Sequence, residues 1–530
     1  VALDRATSIT TARNSATVAG WTLVSRITGV LRVVVIGPVL GATYFANAFQ
    51  TCYLLPHLVF TLIAGPVLGM VLVPSVVRAL GAGGQPRARE VLSGVSGWSL
   101  AIATVVSALL MILSPVVAWT LNFGIPDPAA RARGEWLTTL VVLLVAPQVV
   151  LYALAHLGIA AQQARGRFAL AAGGHVVESV ILIPAVIVAG WYYGTGLDVE
   201  HVPLGLVLVL GGASTVSVAL HAALQLIGTA RVGLLSWPSM RWRRDGEVRS
   251  VTGRLIRSVG VAGWPAAAMY VLLALAGTVP GGVFVVHLTH TIFFSLSFIS
   301  ARAVSMAVLP ELAHAADSGD TAVFGSRWRQ GLSYALIGSL PLLVLLGMNS
   351  GPAANLLAAG QLRHAAVVGP LTTCMALAAV AQLVTGLHDI GRQALFARLD
   401  DRIPRRASEA AFAVMIITAV VSLLLPADGS RLIWLVLANL AGELAAAGIV
   451  LTWLRRAIRP ELFFEPRLLA AALVATFAIV PLVGALRWTE QIEASGRIGN
   501  VMFLAFGAAV ALGVYALVLR AVTRRLSGGA

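Results

Sequence analysis

The sequence predicts an all-α polytopic membrane protein, with about fourteen transmembrane helices in two pseudo-symmetric six-helix lobes and a C-terminal helix pair. Three observations predict it: a composition too apolar for water, arginines that alternate between successive loops, and local patterns that recur at a nearly constant interval.

Of the 530 residues, 58% are hydrophobic and only 11% charged, and the mean hydropathy is +0.89. Soluble chains carry roughly 25% charged residues, so the main solvent of this chain is lipid. A span needs roughly 20 apolar residues, which leaves room for twelve to fifteen of them in 530 residues with their loops. The start is polar up to Val18; the apolar run that follows continues past Leu31 and carries arginines, which marks a span rather than a cleaved leader. The net charge is +15, and all 37 basic residues are arginines. They are spread over many loops rather than gathered in one patch, so no nucleic-acid partner is expected. Cys52 and Cys374 both lie in apolar runs, so neither a disulfide framework nor a metal site is expected.

Apolar runs place spans near 17–41, 44–77, 91–121, 136–163, 168–194, 202–230, 252–279 and 283–312. Six more fall near 330–349, 367–395, 407–426, 431–454, 467–487 and 498–521. Loops of one set are arginine-rich: Arg78, Arg87 and Arg89; Arg165 and Arg167; Arg231 to Arg249; Arg327 and Arg329; Arg398 to Arg406; Arg455 to Arg467. The intervening loops hold only Arg131, Arg133, Arg363, Arg431, Arg487 and Arg497. By the positive-inside rule the rich set is cytoplasmic, and both termini lie with it. No loop exceeds about 20 residues, which excludes a soluble catalytic domain; no enzyme activity is expected.

The third observation is a repeat. Leu72-Val73-Pro74 returns as Val308-Leu309-Pro310, and the turn Gln163-Ala164-Arg165-Gly166-Arg167-Phe168 as Phe396-Ala397-Arg398-Leu399-Asp400-Asp401. Arg26 and Arg32 are echoed by Arg254 and Arg257. The intervals of 236 and 233 residues mark a six-span unit used twice in the same orientation, as in transporters with a site between two lobes. The expected organisation is an N-terminal lobe at 1–233, a cytoplasmic Arg-rich linker at 234–250, a C-terminal lobe at 251–460 and a helix pair at 461–530.

Chemistry concentrates in the first span, Ser25-Arg26-Ile27-Thr28-Gly29-Val30-Leu31-Arg32. A guanidinium stays charged, and at mid-bilayer it costs about 2.5–3.5 kcal/mol on insertion scales. At 100° per residue Ser25, Gly29 and Arg32 share one stripe, and the two arginines flank Gly29 on an arc of about 120°. Two donor forks around a residue with no side chain suit a phosphate. Arg26 lies about 13 Å along the span, and Arg32 deeper, beyond easy snorkelling. Asn47 and His57 in the second span, the latter behind Pro56 and ahead of the helix-breaking Gly65-Pro66, and His287, His290, Thr291 and Arg302 in the eighth span are candidate polar cavity residues. His156, Glu178, His221 and Glu443 are read as partners for neighbouring dipoles or arginines, and Asp389 with Arg392 as a structural i,i+3 pair. Arg165, Arg167, Arg398 and Asp400 belong to hinge loops. Paired acids at Asp400-Asp401 among several arginines are a poor fit to a glycosyltransferase.

Ser25-Arg26-x-x-Gly29-x-x-Arg32, Gly41-Ala42, Ala48-Phe49, Leu55-Pro56, Val73-Pro74 and the two Ala-Arg turns, the second followed by Pro404, together resemble the MviN/MurJ family of the MOP exporter superfamily. The resemblance covers the whole chain. It implies an alternating-access flippase that carries a polyprenyl-(pyro)phosphate-linked glycan, lipid II or a related lipid-linked sugar, from the inner to the outer leaflet of a bacterial inner membrane. It also implies that Arg26 and Arg32 hold phosphate, with Ser25 and Gly29 beside them, and that the last two spans groove the polyprenyl tail. The expected partners are that lipid, bulk membrane lipids and cell-envelope synthesis proteins, around a monomer; no cofactor is implied, and coupling to membrane potential or an ion gradient leaves the ion open. Departures from the family pattern thin the charge: Val33 stands for an acid, Asn47 for an aspartate, Phe60 or Thr61 and Thr291 for arginines, and no seventh-span acid is present. Either the substrate or its binding mode therefore differs from lipid II. The competing expectation is a non-transporting scaffold that recruits cell-wall synthesis partners.

Overall fold

The computed structural model describes residues 2–63, 65–240, 245–363, 367–459, 463–488 and 496–527. Those residues are α-helical with short 3-10 and π turns, and contain no strand. Positions 241–244 of the predicted linker lie outside them.

The chain forms two compact units, residues 1–284 and 285–530. The first holds α1 (Ala2–Leu40), α2 (Tyr44–Ile63), α3 (Gly65–Ile112), α4 (Ser114–Asn122), α5 (Pro128–Val145), α6 (Gln148–Ala164), α7 (Ala169–Tyr193), α8 (Leu204–Arg231) and α9 (Gly246–Ala276). Helix α10 (Gly282–Ser297) starts in the first unit and continues into the second. There a π turn at Phe298–Arg302 leads to α11 (Ala303–Asp317), α12 (Thr321–Met348), α13 (Ser350–Leu357) and α14 (Val368–Ala397). Then come α15 (Arg402–Val421), α16 (Gly429–Ile458), α17 (Pro466–Trp488) and α18 (Gly496–Ser527).

Twelve helices among the described residues are long and apolar enough to cross a membrane, so the count of about fourteen holds only approximately. The second and third expected spans run together through α3, where Gly83 and Gly84 break the helical path and Gly84 takes φ +66. The seventh is a shorter apolar stretch, Gly263–Ala276, within α9.

Aspartates outside the apolar runs start several helices. Asp127 accepts from the Ala130 N–H ahead of α5, Asp320 from Ala322 and Val323 ahead of α12, and Asp428 from Ser430 ahead of α16. Each satisfies donors that a helix start leaves open. These three acids are thus engaged as caps rather than gathered into a site. Asp245 does the same for α9 and also accepts Arg87 at 2.8 Å, which ties the linker's end to α3. Burial pushes the Asp245 carboxyl up, but the Arg87 guanidinium and two backbone N–H groups hold it below the usual carboxylate range.

Packing in the first unit centres on Phe49, Leu68, Leu72, Leu137, Leu182 and Leu210, all fully buried. Helix α7 runs between α1 and α8, and two glycines let both approach. A Cβ on Gly173 would lie 2.7 Å from the Trp21 ring of α1, and one on Gly174 2.5 Å from His221 Nε2 of α8. In the second unit α17 packs on α18 and α12, and the Tyr515 hydroxyl of α18 donates to the Ile337 carbonyl of α12 at 2.9 Å.

The repeat is visible in the turns themselves. After α6 the Arg167 N–H bonds the Gln162 carbonyl at 2.9 Å, with Gly166 at φ +69 between them. After α14 the Asp400 N–H bonds the Leu395 carbonyl at 3.0 Å, with Leu399 at φ +56. Both are the same left-handed helix stop, at the interval read from the sequence.

Candidate functional site

Helix α1 presents two faces. Leu23, Val24, Ile27 and Leu31 are exposed, whereas Val33 and Ile36 are buried. Ser25, Gly29 and Arg32 lie on the side opposite the exposed leucines and isoleucine, as the 100° periodicity requires. Gly29 is open: no atom lies within 4 Å of where a Cβ would stand. Arg26 is half-buried beside this opening, and the Ser25 carbonyl accepts the Thr28 hydroxyl at 3.1 Å.

Arg32 is turned towards α7 and α2. Its Nη1 lies 3.6 Å from Glu178 Oε2, and its guanidinium caps the Tyr53 ring at 5.0 Å. Its Nε is buried with no hydrogen-bond partner. The arginine expected to seat phosphate therefore already has a counter-ion.

Around Glu178 of α7 the first unit gathers groups from α2, α6 and α8 as well as from α7 itself. His221 of α8, with no exposed side-chain surface, brings Nδ1 to 2.7 Å from Glu178 Oε1. The Tyr152 hydroxyl of α6 donates to Oε2 at 3.3 Å. His175, one turn before Glu178 on α7, sits 3.9 Å from Oε1 with its side chain 43% exposed. His156 of α6 lies 6.2 Å from the His175 ring, and His57 of α2 packs edge-on against Tyr152 at 5.3 Å. The sequence reading of His156, Glu178 and His221 as partners for dipoles and an arginine fits this arrangement; His175 escaped it. The sign was the spacing His175-x-x-Glu178 behind Gly173-Gly174, which puts imidazole and carboxylate on one face where α8 comes close. One ligand atom each from His175, Glu178 and His221 falls within 4.8 Å of the others, a grouping that the sequence reading, which expects no metal, does not single out.

Asn47 lines no opening. It is buried on α2, where Nδ2 donates to the Gly277 and Val279 carbonyls at 3.2 and 2.7 Å and Oδ1 accepts the Val283 N–H at 3.2 Å. It clasps the turn between α9 and α10, with all its donors engaged.

In the second unit His290 packs on Phe293 and Phe294, and the Arg302 guanidinium lies 5.4 Å from the Phe294 ring. The Thr291 hydroxyl donates to the His287 carbonyl at 2.8 Å. Glu443 of α16 accepts the Thr385 hydroxyl at 2.9 Å and faces His388 Nδ1 at 3.5 Å, while Arg392 bonds Asp389 at 2.5 Å. Arg398 lies over Phe324 and Trp453, and Asp400 accepts the Arg402 N–H at 3.0 Å at the start of α15. Arg165 and Arg167 flank the matching stop in the first unit.

A family model described as "Lipid II flippase MurJ" matches residues 36–508. A probable lipid II flippase MurJ of Rhizobium tropici is 25% identical over 449 residues, 83% of this chain and 80% of that one. The corresponding Vibrio cholerae protein is 25% identical over 252 residues, and that match spans 46% of each chain, under half of the relative's length. Among solved structures, a lipid II flippase MurJ in an inward closed conformation superposes with a TM-score of 0.70 at 13% identity, covering 96% of this chain and 99% of that one. An inward-facing multidrug resistance MATE family transporter of the MOP superfamily reaches 0.61 at 13% identity, covering 83% and 94%. These likenesses show a shared fold.

Proposed function

The chain belongs to the lipid II flippase MurJ family, and from that premise we propose that it carries a polyprenyl-(pyro)phosphate-linked glycan, lipid II or a related lipid-linked sugar, from inner to outer leaflet by alternating access. The observation that carries this reading is the α1 stripe: Arg26 and Arg32 stand either side of Gly29, where the space for a Cβ is open. A backbone without a side chain lets a phosphate approach, and the guanidinium forks bind it bidentately. Helices α17 and α18, long and apolar, are the proposed groove for the polyprenyl tail. The chain acts as a transporter rather than an enzyme, working as a monomer in the bacterial inner membrane with both termini cytoplasmic, beside the proteins that make and use its cargo. The driving force is a membrane potential or an ion gradient, without a bound cofactor.

The test is mass spectrometry of lipids co-purifying with the wild type and with Arg26→Ala/Arg32→Ala. A polyprenyl-linked glycan on the wild type that is lost from the double variant supports the reading. Equal lipid profiles, together with unimpaired cell-envelope growth of the double variant, overturn it in favour of a non-transporting scaffold.

A further inference from the structure

Three facts about Glu178 sit together. Its carboxylate is the counter-ion of Arg32, at 3.6 Å. It is buried, with side-chain exposure of 6%, and touches His221, which is buried completely and whose Nε2 has no hydrogen-bond partner. Beside it stands His175, which alone of the two imidazoles has exposed side-chain surface, at 43%. Arg32 meets Glu178 through Nη1 alone, at 3.6 Å, so a guanidinium drawn away towards Gly29 parts from the carboxylate.

Building on the phosphate seat on α1, we propose that Glu178 and the substrate's phosphate compete for Arg32, and that Glu178 takes up one proton by way of His175 when the phosphate wins. Before binding, Arg32 and Glu178 neutralise each other. When phosphate draws the guanidinium towards the opening at Gly29, Glu178 loses its permanently charged partner in a region packed by α1, α2, α6 and α8, and keeps the Tyr152 and His221 contacts. An uncompensated buried charge costs several kcal/mol, and a carboxylate escapes that cost by taking a proton. The charge balances: a phosphate negative charge replaces the Glu178 negative charge on Arg32, and a proton from water ends on a Glu178 oxygen. Release of the cargo reverses both events, so substrate movement and proton movement form one exchange.

The groups facing Glu178 permit this and bias it. From α1 come Arg32 and, further out, Arg26, both permanently charged. From α2 come Tyr53 and His57, from α6 Tyr152 and His156, from α8 His221, and from α7 itself His175. Tyr152 and His221 already hydrogen-bond the carboxylate, and they stay as its neighbours after Arg32 leaves. The rings of His156, His175 and His221 lie in sequence, 6.2 and 4.8 Å apart, and form a line of proton acceptors that ends at the carboxylate.

The experiment is calorimetric titration of the detergent-solubilised full chain with farnesyl diphosphate at pH 8, in two buffers of different ionisation enthalpy. The difference in heat gives protons taken up per ligand bound. The wild type is expected to take up about one proton. Glu178→Gln, which keeps the shape and a hydrogen-bonding amide, is expected to take up none and to bind about tenfold tighter, since nothing competes for Arg32. Binding by the wild type without proton uptake overturns the exchange and leaves the phosphate seat standing. Equal uptake by wild type and Glu178→Gln overturns it too. Absence of binding overturns the phosphate seat and the exchange with it. Zinc bound at micromolar concentration and released by Glu178→Gln assigns the group to a metal and overturns the proton reading. The wild-type proton count decides the matter even where the variant fails to fold.

Discussion

Arg32 on α1 and Glu178 on α7 meet at 3.6 Å inside the first unit, with the arginine side chain 17% and the glutamate 6% exposed. The pair joins the helix that carries the cationic stripe to the helix that carries a histidine and glutamate on one face. It also means that one of the stripe's two charges is held by the protein itself. Pairs of this kind are poor sources of net stability, because desolvating both charges offsets their attraction, but they are costly to break from one side.

Glu178→Ala is therefore expected to cost about 3–5 kcal/mol, since it strands a buried guanidinium. The double change Arg32→Met/Glu178→Leu is expected to recover most of that loss, since it replaces both charges with apolar volume. Thermal unfolding in detergent, read by intrinsic fluorescence, measures both. A Glu178→Ala protein that melts with the wild type would show that the pair is solvated and contributes nothing.

Asn47 gives a second test. Its amide donates to two carbonyls and accepts one N–H from the turn after α9. The family resemblance leads one to expect an aspartate here, but a carboxylate has no donor for two carbonyl oxygens and would face them as a like-signed group. Asn47→Asp is expected to destabilise more than Asn47→Ala at neutral pH, by roughly 1–3 kcal/mol for the groups left unpaired. The gap should narrow as the carboxylate protonates in acid. Melting curves of the two variants across pH check it; an Asn47→Asp protein at least as stable as Asn47→Ala at pH 7 defeats the clasp.

The contrast between these two sites explains what the sequence disclosed. Membership of the α1 stripe follows from helical periodicity alone, so Ser25, Gly29 and Arg32 fall on one side with Leu23, Ile27 and Leu31 on the other. The turn repeat is local too, and both copies keep their conformation. Partnership between distant helices has no such signal. The Asn47 clasp joins residues 230 and more positions apart, and whether Asn47 lines an opening or closes a turn depends on packing. Glu178 was recognisable as an arginine's partner, but not which arginine. His175 looked unremarkable until Gly174 allowed α8 to bring His221 beside it. Span number was legible to within the two places where α3 runs on and α9 shortens.

The repeat makes its own prediction, because its two copies solve one turn with different residues. Gly166 takes φ +69 at no cost, whereas Leu399 takes φ +56 with a Cβ that crowds the carbonyl in that region, at about 1–2 kcal/mol. Leu399 is 92% exposed, so its side chain contributes little packing to offset the strain. Leu399→Gly should therefore stabilise the second unit by about 1 kcal/mol, the strain relieved less the extra freedom of glycine in the unfolded chain. Gly166→Leu should destabilise the first by a similar amount, although no atom lies within 4 Å of its Cβ position, because the penalty there is conformational rather than steric. Opposite shifts of the melting temperature in the two single variants, and near-cancellation in the double, are the expected result. If both variants shift in the same direction, the two turns are not equivalent and the six-helix repeat loses its structural support at these positions.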